Sequence, residues 1–156
     1  KDGTVTAANA SSISDGAAAL VLMPLSEAER RGLKPLAKIS GHASHSHEPS
    51  WFTTAPVGAM QKLHSALNWQ VDDIDLFEVN EAFAVVTMAA MEELNLPHDK
   101  VNVNGGACAL GHPIGASGAR LVVTLLAAMA AKDLNRGVAS LCIGGGEATA
   151  MGIERL

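Results

Sequence analysis

The sequence predicts an α/β domain: a mixed five-stranded sheet with helices on both faces and one helix buried on every side. Three observations lead there. Short apolar runs alternate along the chain with segments of helical spacing, as in sheet domains covered by helices. The stretch from about Ala116 to Ala131 is almost wholly apolar, and a helix apolar all round must be buried all round. Gly144-Gly-Gly146 parts two apolar runs, as a hairpin turn does.

The elements follow in order. Gly3 to Ala7 is strand-like, and with no initiator Met or lead-in the chain reads as though cut from something longer. Ala17 to Met23 is a continuous apolar run closed by Pro24, which reads as a buried strand. Ser26 offers an N-cap and Glu29 its capping-box partner for a short helix ending at Gly32. Leu36 to Ser40 begins another strand, which runs into a loop holding His42, His45, His47, Glu48 and Pro49. Pro56 to Leu67 has helical spacing, with Val57, Met60, Leu63, His64 and Leu67 on one face. Ile74 to Val79 is a strand, Glu81 to Leu94 a helix, and Val101 to Val103 a short strand. A glycine-rich segment and the long apolar helix come next, then strands Val138 to Ile143 and Ala148 to Ile153.

The 156 residues suit one domain with room for a core, and no internal repeat is visible. A net charge of −5 without a basic cluster argues against a nucleic-acid partner. Leu121 to Ala131 is too short to span a bilayer, and the residues after Lys1 do not form a signal peptide. With no secretory signal, Cys108 and Cys142 read as reduced, intracellular thiols.

Four segments carry chemistry. In the first, Pro113 biases His112 to an extended conformation just before a buried helix, where the dipole favours a neutral, proton-accepting ring. The alternative is a glycine-rich connection with an incidental histidine. A nucleotide loop is weaker, because neither the GxGxxG spacing nor a P-loop lysine is present. In the second, Cys142 ends a strand against three glycines whose amides can stabilise a thiolate; a buried structural cysteine is the competing reading. Cys108, between alanines, is assigned to packing. In the third, Asn80 lies at a strand-to-helix junction flanked by Glu78 and Glu81, and is either a functional donor or a helix cap. In the fourth, Asn9 to Gly16 could hold a polar ligand or form a turn. The histidines at 42, 45 and 47 lack a matching ligand pair, so no metal site is expected.

Taken together, these segments resemble the thiolase family. Asn80-Glu-Ala-Phe83, Gly105-Gly-x-x-Ala-Leu-Gly-His-Pro-x-Gly-x-Ser-Gly-Ala-Arg120 and Cys142-x-Gly-Gly-Gly146 stand in the family's order and spacing. Asn9-Ala-Ser and Ser14-Asp-Gly-Ala-Ala-Ala19 look like the segment that opens the second half of these enzymes. The resemblance covers essentially the whole chain and identifies residues 1–156 as a thiolase C-terminal domain of the acetyl-CoA acetyltransferase type. It implies condensation of two acetyl-CoA to acetoacetyl-CoA and CoA, with thiolysis in reverse. Coenzyme A enters as substrate and product, and no further cofactor is implied.

Roles carry over by position. The resemblance implies that His112 activates a nucleophilic cysteine and helps hold the thioester oxygen. Cys142 removes the α-proton of the attacking acyl-CoA, and Asn80 completes an oxyanion site with His112 through a water. Gly144 lends its amide to a second oxyanion site. Ser11 resembles a pantetheine contact, and Phe52 and Phe83 resemble pocket-lining positions. A thiol with a pKa of about 8.5 needs help to act as a base, for which His112 and the glycine amides are candidates. The nucleophile's own motif lies in the family's N-terminal half, and neither cysteine here sits in it; Cys108, Ser12 and Glu147 also depart from the commonest pattern. The expected partners are acyl-CoA substrates, an N-terminal thiolase domain and further copies in a homodimer or homotetramer, in the cytoplasm. Two rivals stand beside this reading: a non-catalytic acyl-CoA binder or assembly subunit, and a decarboxylating ketoacyl-synthase-type enzyme. A binder needs none of His112, Asn80 and Cys142, and the ketoacyl synthases use two histidines where this chain has His112 and Cys142.

Overall fold

A computed structural model describes residues 2–156. Its sheet has four strands, β1 (Ala37–Ser46), β2 (Leu76–Val79), β3 (Arg136–Ile143) and β4 (Glu147–Arg155), in the order β1-β4-β3-β2. β2 runs parallel to β3, and the other pairs are antiparallel. The helices are α1 (Leu25–Arg30), α2 (Ala55–Leu67), α3 (Ala84–Leu94), α4 (Ala107–Leu110) and α5 (Ser117–Lys132).

Alternation along the strands sends side chains to two separate cores. On one face Phe77, Val79 and Val138 meet Met60 and Leu63 of α2 and Val86 of α3. On the other, Leu76, Ala139 and Ile153 meet Leu121, Leu125 and Met129 of α5. Helices therefore cover both faces of a mixed sheet, as the sequence predicts. Gly41 and Gly152 pair across β1 and β4 directly beneath Leu67, and a Cβ at either would meet its methyls at 2.7–2.8 Å. The missing side chains let α2 lie close on the sheet. α2, α3 and α5 each end on a left-handed Asn68, Asn95 or Asp133, residue types that enter that region at least cost after glycine.

Several expectations are corrected. The fifth strand is absent: Val101 makes one parallel bridge to Phe77, and the backbone then turns left-handed at Asn102. There the Asn102 side chain takes over the pairing, accepting from the Val79 N–H and donating to the Val79 carbonyl, both at 2.8 Å. Gly3 to Ala7 forms no strand. Ala17 to Met23 is no buried strand either, since it has no strand neighbour and Val21 and Leu22 are exposed. α5 buries one face rather than all of them: Leu121, Leu125 and Met129 are covered, while Val123 and Ala127 face outward. An apolar sequence shows that a surface avoids water, not which part of a fold covers it. The histidine loop is a strand, with His42 and His45 within β1. Ser26 lies inside α1 and caps nothing, Pro24 being the N-cap residue, while the helix does close at Gly32.

The β3–β4 hairpin forms as expected, with Ile143 paired to Glu147 across the three glycines. Gly146 has φ +98°, its N–H bonds the Ile143 carbonyl at 3.1 Å, and a Cβ there would run into the His47 carbonyl oxygen. Gly146→Ala is expected to destabilise the domain by about 2–4 kcal/mol, from left-handed strain and backbone overlap together, read by urea unfolding.

Candidate active site

The site grows from the carboxyl end of the parallel pair β2–β3, where α/β sheets place functional groups. The Asn80 N–H continues the ladder to the Ser140 carbonyl at 2.9 Å, and the residue is fully buried. α3 does not begin until Ala84, with Phe83 at its N-cap. Asn80 is therefore no helix cap, and its amide is free for other partners. Glu81 turns back: its carboxylate accepts from the Asn102 amide at 3.0 Å and from the Cys108 N–H at 3.1 Å. Ala82 is met by the N-terminal segment, its carbonyl accepting from Ser11 N–H at 3.1 Å and Ser11 Oγ–H at 2.8 Å.

His112 is extended before Pro113, as expected; it bridges to Ile13 and donates its N–H to the Ser12 carbonyl at 2.9 Å. Its ring lies between two partners. Nδ1 is 2.6 Å from Ser117 Oγ, whose own hydrogen goes to the Pro113 carbonyl at 3.0 Å. A hydroxyl whose hydrogen goes to that carbonyl accepts on its other side, which favours the tautomer with the ring proton at Nδ1. Nε2 then has a free lone pair, facing Asn80 Nδ2 at 3.3 Å. Burial, and next the Arg120 guanidinium, push the His112 pKa below its ordinary value. The ring is thus a neutral base with its lone pair at Nε2. The helix start expected to favour this state is five residues away at Ser117, and burial does most of the work.

Behind Asn80 the buried Glu78 faces a partly exposed Arg120. Arg120 Nη2 donates to Asn80 Oδ1 at 3.4 Å, and Nη1 stands 3.6 Å from Glu78 Oε2. The Glu78 side chain is 1% exposed, and neither carboxylate oxygen has a hydrogen-bond donor among the described residues. Desolvation raises its pKa to about 7, Arg120 opposing and Glu81 adding to the rise.

Cys142 is buried on β3, two residues beyond the Ser140 that bonds Asn80, and Gly144 follows in the exposed hairpin turn with open space above it. Burial pushes the Cys142 thiol up, against a smaller lowering from backbone hydrogen bonding. Within this chain desolvation outweighs the help that the amides give. Phe52 and Phe83 stand edge to face with centroids 6.2 Å apart, packed on the core that includes Cys142. Ser11 Oγ spends its hydrogen on Ala82, leaving lone pairs that can accept. The structure thus brings Asn80 and His112 into contact and sets Cys142 and Gly144 at the same sheet end, with no hydrogen bond joining the two pairs among the described residues.

Ser117, Arg120 and Glu78 are neighbours of His112 and Asn80 to which the motif reading gave no separate role. The available signal was spacing: Ser117 and Arg120 are three apart on one helix, hence on one face, and Glu78 and Asn80 are two apart around a strand end.

Two outcomes are expected here. Nitrogen NMR of the His112 ring should show the Nδ1–H form and titration below the ordinary histidine range, with Ser117→Ala giving a tautomer mixture. For Glu78, the folded state holds a proton between pH 4.5 and about 7 that the unfolded chain has lost, so stability falls as pH rises through that window. Glu78→Gln should flatten that fall, by up to about 1.4 kcal/mol per pH unit, in melts taken from pH 5 to 8.

Comparisons with known proteins agree in one direction. Residues 33–155 match the profile of the thiolase C-terminal domain, and residues 1–26 match that of the thiolase N-terminal domain. The chain is 57% identical over 156 residues to the acetyl-CoA acetyltransferase of Escherichia coli, covering all of this chain and 40% of that protein. It is 53% identical over 153 residues to the cytosolic acetyl-CoA acetyltransferase of Mus musculus, covering 98% of this chain and 38% of the relative. A crystal structure of the Bacillus anthracis acetyl-CoA acetyltransferase superposes with a TM-score of 0.98 at 46% identity, over all of this chain and 40% of that one. The chain spans about two-fifths of the length of these relatives. With the family profile covering most of its residues and the site motifs folded together at one sheet end, the chain belongs to the thiolase family.

Proposed function

We propose that the chain is the C-terminal catalytic part of an acetyl-CoA C-acetyltransferase, which condenses two acetyl-CoA to acetoacetyl-CoA and CoA and catalyses the reverse thiolysis. The observation that carries this reading is the neutral His112, fixed by Ser117 with its Nε2 lone pair beside the Asn80 amide. In the first step, Nε2 takes the proton of a cysteine nucleophile supplied by the N-terminal part. The thiolate attacks the thioester carbon and CoA leaves as its thiol, giving an acetyl-enzyme. In the second, Cys142 as thiolate removes an α-proton from another acetyl-CoA. The enolate carbon attacks the acetyl-enzyme, and the nucleophile departs. Asn80 and protonated His112 stabilise one developing oxyanion and the Gly144 N–H contributes to the other, each such donor typically worth a few kcal/mol.

Residues 1–26 align with the N-terminal domain, and Ala17 to Met23, which pairs with no strand among the described residues, is read as a segment that packs against that domain. Ser11, Phe52 and Phe83 fit the acyl-CoA arm, and the working enzyme is read as a cytoplasmic homodimer or homotetramer. None of the described helices is long and apolar enough to cross a membrane.

The test joins this chain to the N-terminal part of the Escherichia coli relative. The chain alone should show no turnover, and the joined protein should thiolyse acetoacetyl-CoA. Cys142→Ala should lower condensation by about 10²–10⁴-fold, as expected for loss of a general base, while acetyl transfer onto the enzyme falls less. Thiolysis by the chain alone would refute the assignment of the nucleophile to the other part.

A further inference from the structure

Asn80 has a problem that its burial makes acute. A side-chain amide can sit in either of two orientations, and only one presents N–H to the bare Nε2 of His112. Flipped, Oδ1 would set its lone pairs against that of Nε2. Ser117 favours the Nδ1–H tautomer without enforcing it, because its hydroxyl can turn its hydrogen from the Pro113 carbonyl to Nδ1. The His112 side alone therefore does not settle the matter.

Arg120 breaks the tie. A guanidinium only donates, so Nη2 at 3.4 Å from Oδ1 accepts one orientation of the amide and rejects the other. Arg120 sits on the first turn of α5, three residues after the Ser117 that holds the opposite side of the His112 ring. One helix therefore fixes both ends of the chain Ser117–His112–Asn80–Arg120. Glu78 completes it. Its carboxylate receives no hydrogen bond from any described residue, yet lies 3.6 Å from Nη1, with both of its oxygens and that nitrogen buried. What it supplies there once ionised, from about pH 7 upward, is counter-charge to a partly exposed cation set beside a neutral histidine.

We propose that Arg120, charge-compensated by Glu78, is a positioning residue that locks the Asn80 amide with its N–H toward His112. The proposal rests on the roles given above to His112 and Asn80, and it concerns groups that touch no substrate themselves.

The test is a cycle of variants in the complete enzyme, this chain joined to the N-terminal part of the Escherichia coli relative. Asn80→Ala should lower kcat by about 10²-fold, as for loss of one oxyanion donor. Arg120→Gln should lower kcat by about tenfold, with the KM for acetyl-CoA within about twofold, because it acts only through the amide. Introduced on top of Asn80→Ala, Arg120→Gln should change kcat by less than about twofold, since there is no amide left to orient. Arg120→Gln leaves Glu78 uncompensated and could melt low. The double variant Glu78→Gln/Arg120→Gln removes both charges; it should recover the melting temperature and keep the tenfold loss. A full tenfold loss in the Asn80→Ala background would overturn the proposal, since Arg120 would then act by another route.

A second readout needs no turnover. In this chain, Arg120→Gln should let the amide flip and bring an Nε2–H population into the nitrogen spectrum of His112, where the unaltered protein shows Nδ1–H. An unchanged spectrum would also overturn the proposal. An inactive joined enzyme would count against the proposed function, and the spectrum would still decide what Arg120 does.

Discussion

The junction from Val79 to Ala84 is the constraint on which the rest of the site depends. Within six residues it is held by Asn102 at Val79, Ser140 at Asn80, Asn102 and Cys108 at Glu81, Ser11 at Ala82 and Asn9 at Ala84. These bonds come from the N-terminal segment, the turn after the Val101 bridge, α4 and the neighbouring strand. They fix the link from the end of β2 to the start of α3, a stretch at residues 80–83 that has neither helix nor strand ladder of its own. The glycine-rich segment serves the same end. A Cβ on Gly106 would overlap the Glu81 carboxylate, so the absent side chain lets that carboxylate reach the Cys108 N–H. His112 comes to Asn80 because the chain on either side of it is tied to this junction.

Much of this was legible in the sequence, and unevenly. The β3–β4 hairpin, α2 and the strand before Asn80 were readable because turn chemistry and periodicity are local. His112, Asn80 and Cys142 were readable only in combination, since each has an ordinary structural explanation when met alone. Asn102 shows what local patterns miss: its side chain imitates a strand, and no run of alternating residues announces that. Ser117 and Arg120 were visible within a motif but had no role until His112 and Asn80 were placed on either side of them. The Ala17–Met23 run and the outer face of α5 misled for a shared reason. Hydrophobicity requires a cover but does not say that the cover lies within these 156 residues.

Burial does more in this site than exclude water. It acts on the three proton carriers, His112, Cys142 and Glu78, and favours the neutral form of each. For His112 this gives a base. For Cys142 it gives a proton donor, and the thiolate needed to deprotonate an acyl-CoA is the less stable form. A site of this kind holds little charge at rest, apart from Arg120 and whatever part of Glu78 answers it.

Charge then appears as the reaction proceeds. In the proposed reaction a proton moving to Nε2 creates an imidazolium, and attack on a thioester puts negative charge on its oxygen. In a low-dielectric pocket those opposite charges attract strongly, whereas separate resting charges would each have carried a desolvation penalty. The donors that meet the oxygen have to be in place beforehand, because reorienting an amide during the step would consume part of the stabilisation. That is why the orientation of the Asn80 amide matters as well as its presence. A cation on the far side of Asn80, answered by Glu78, serves the same end: Arg120 reaches Oδ1 and leaves Nδ2 facing His112.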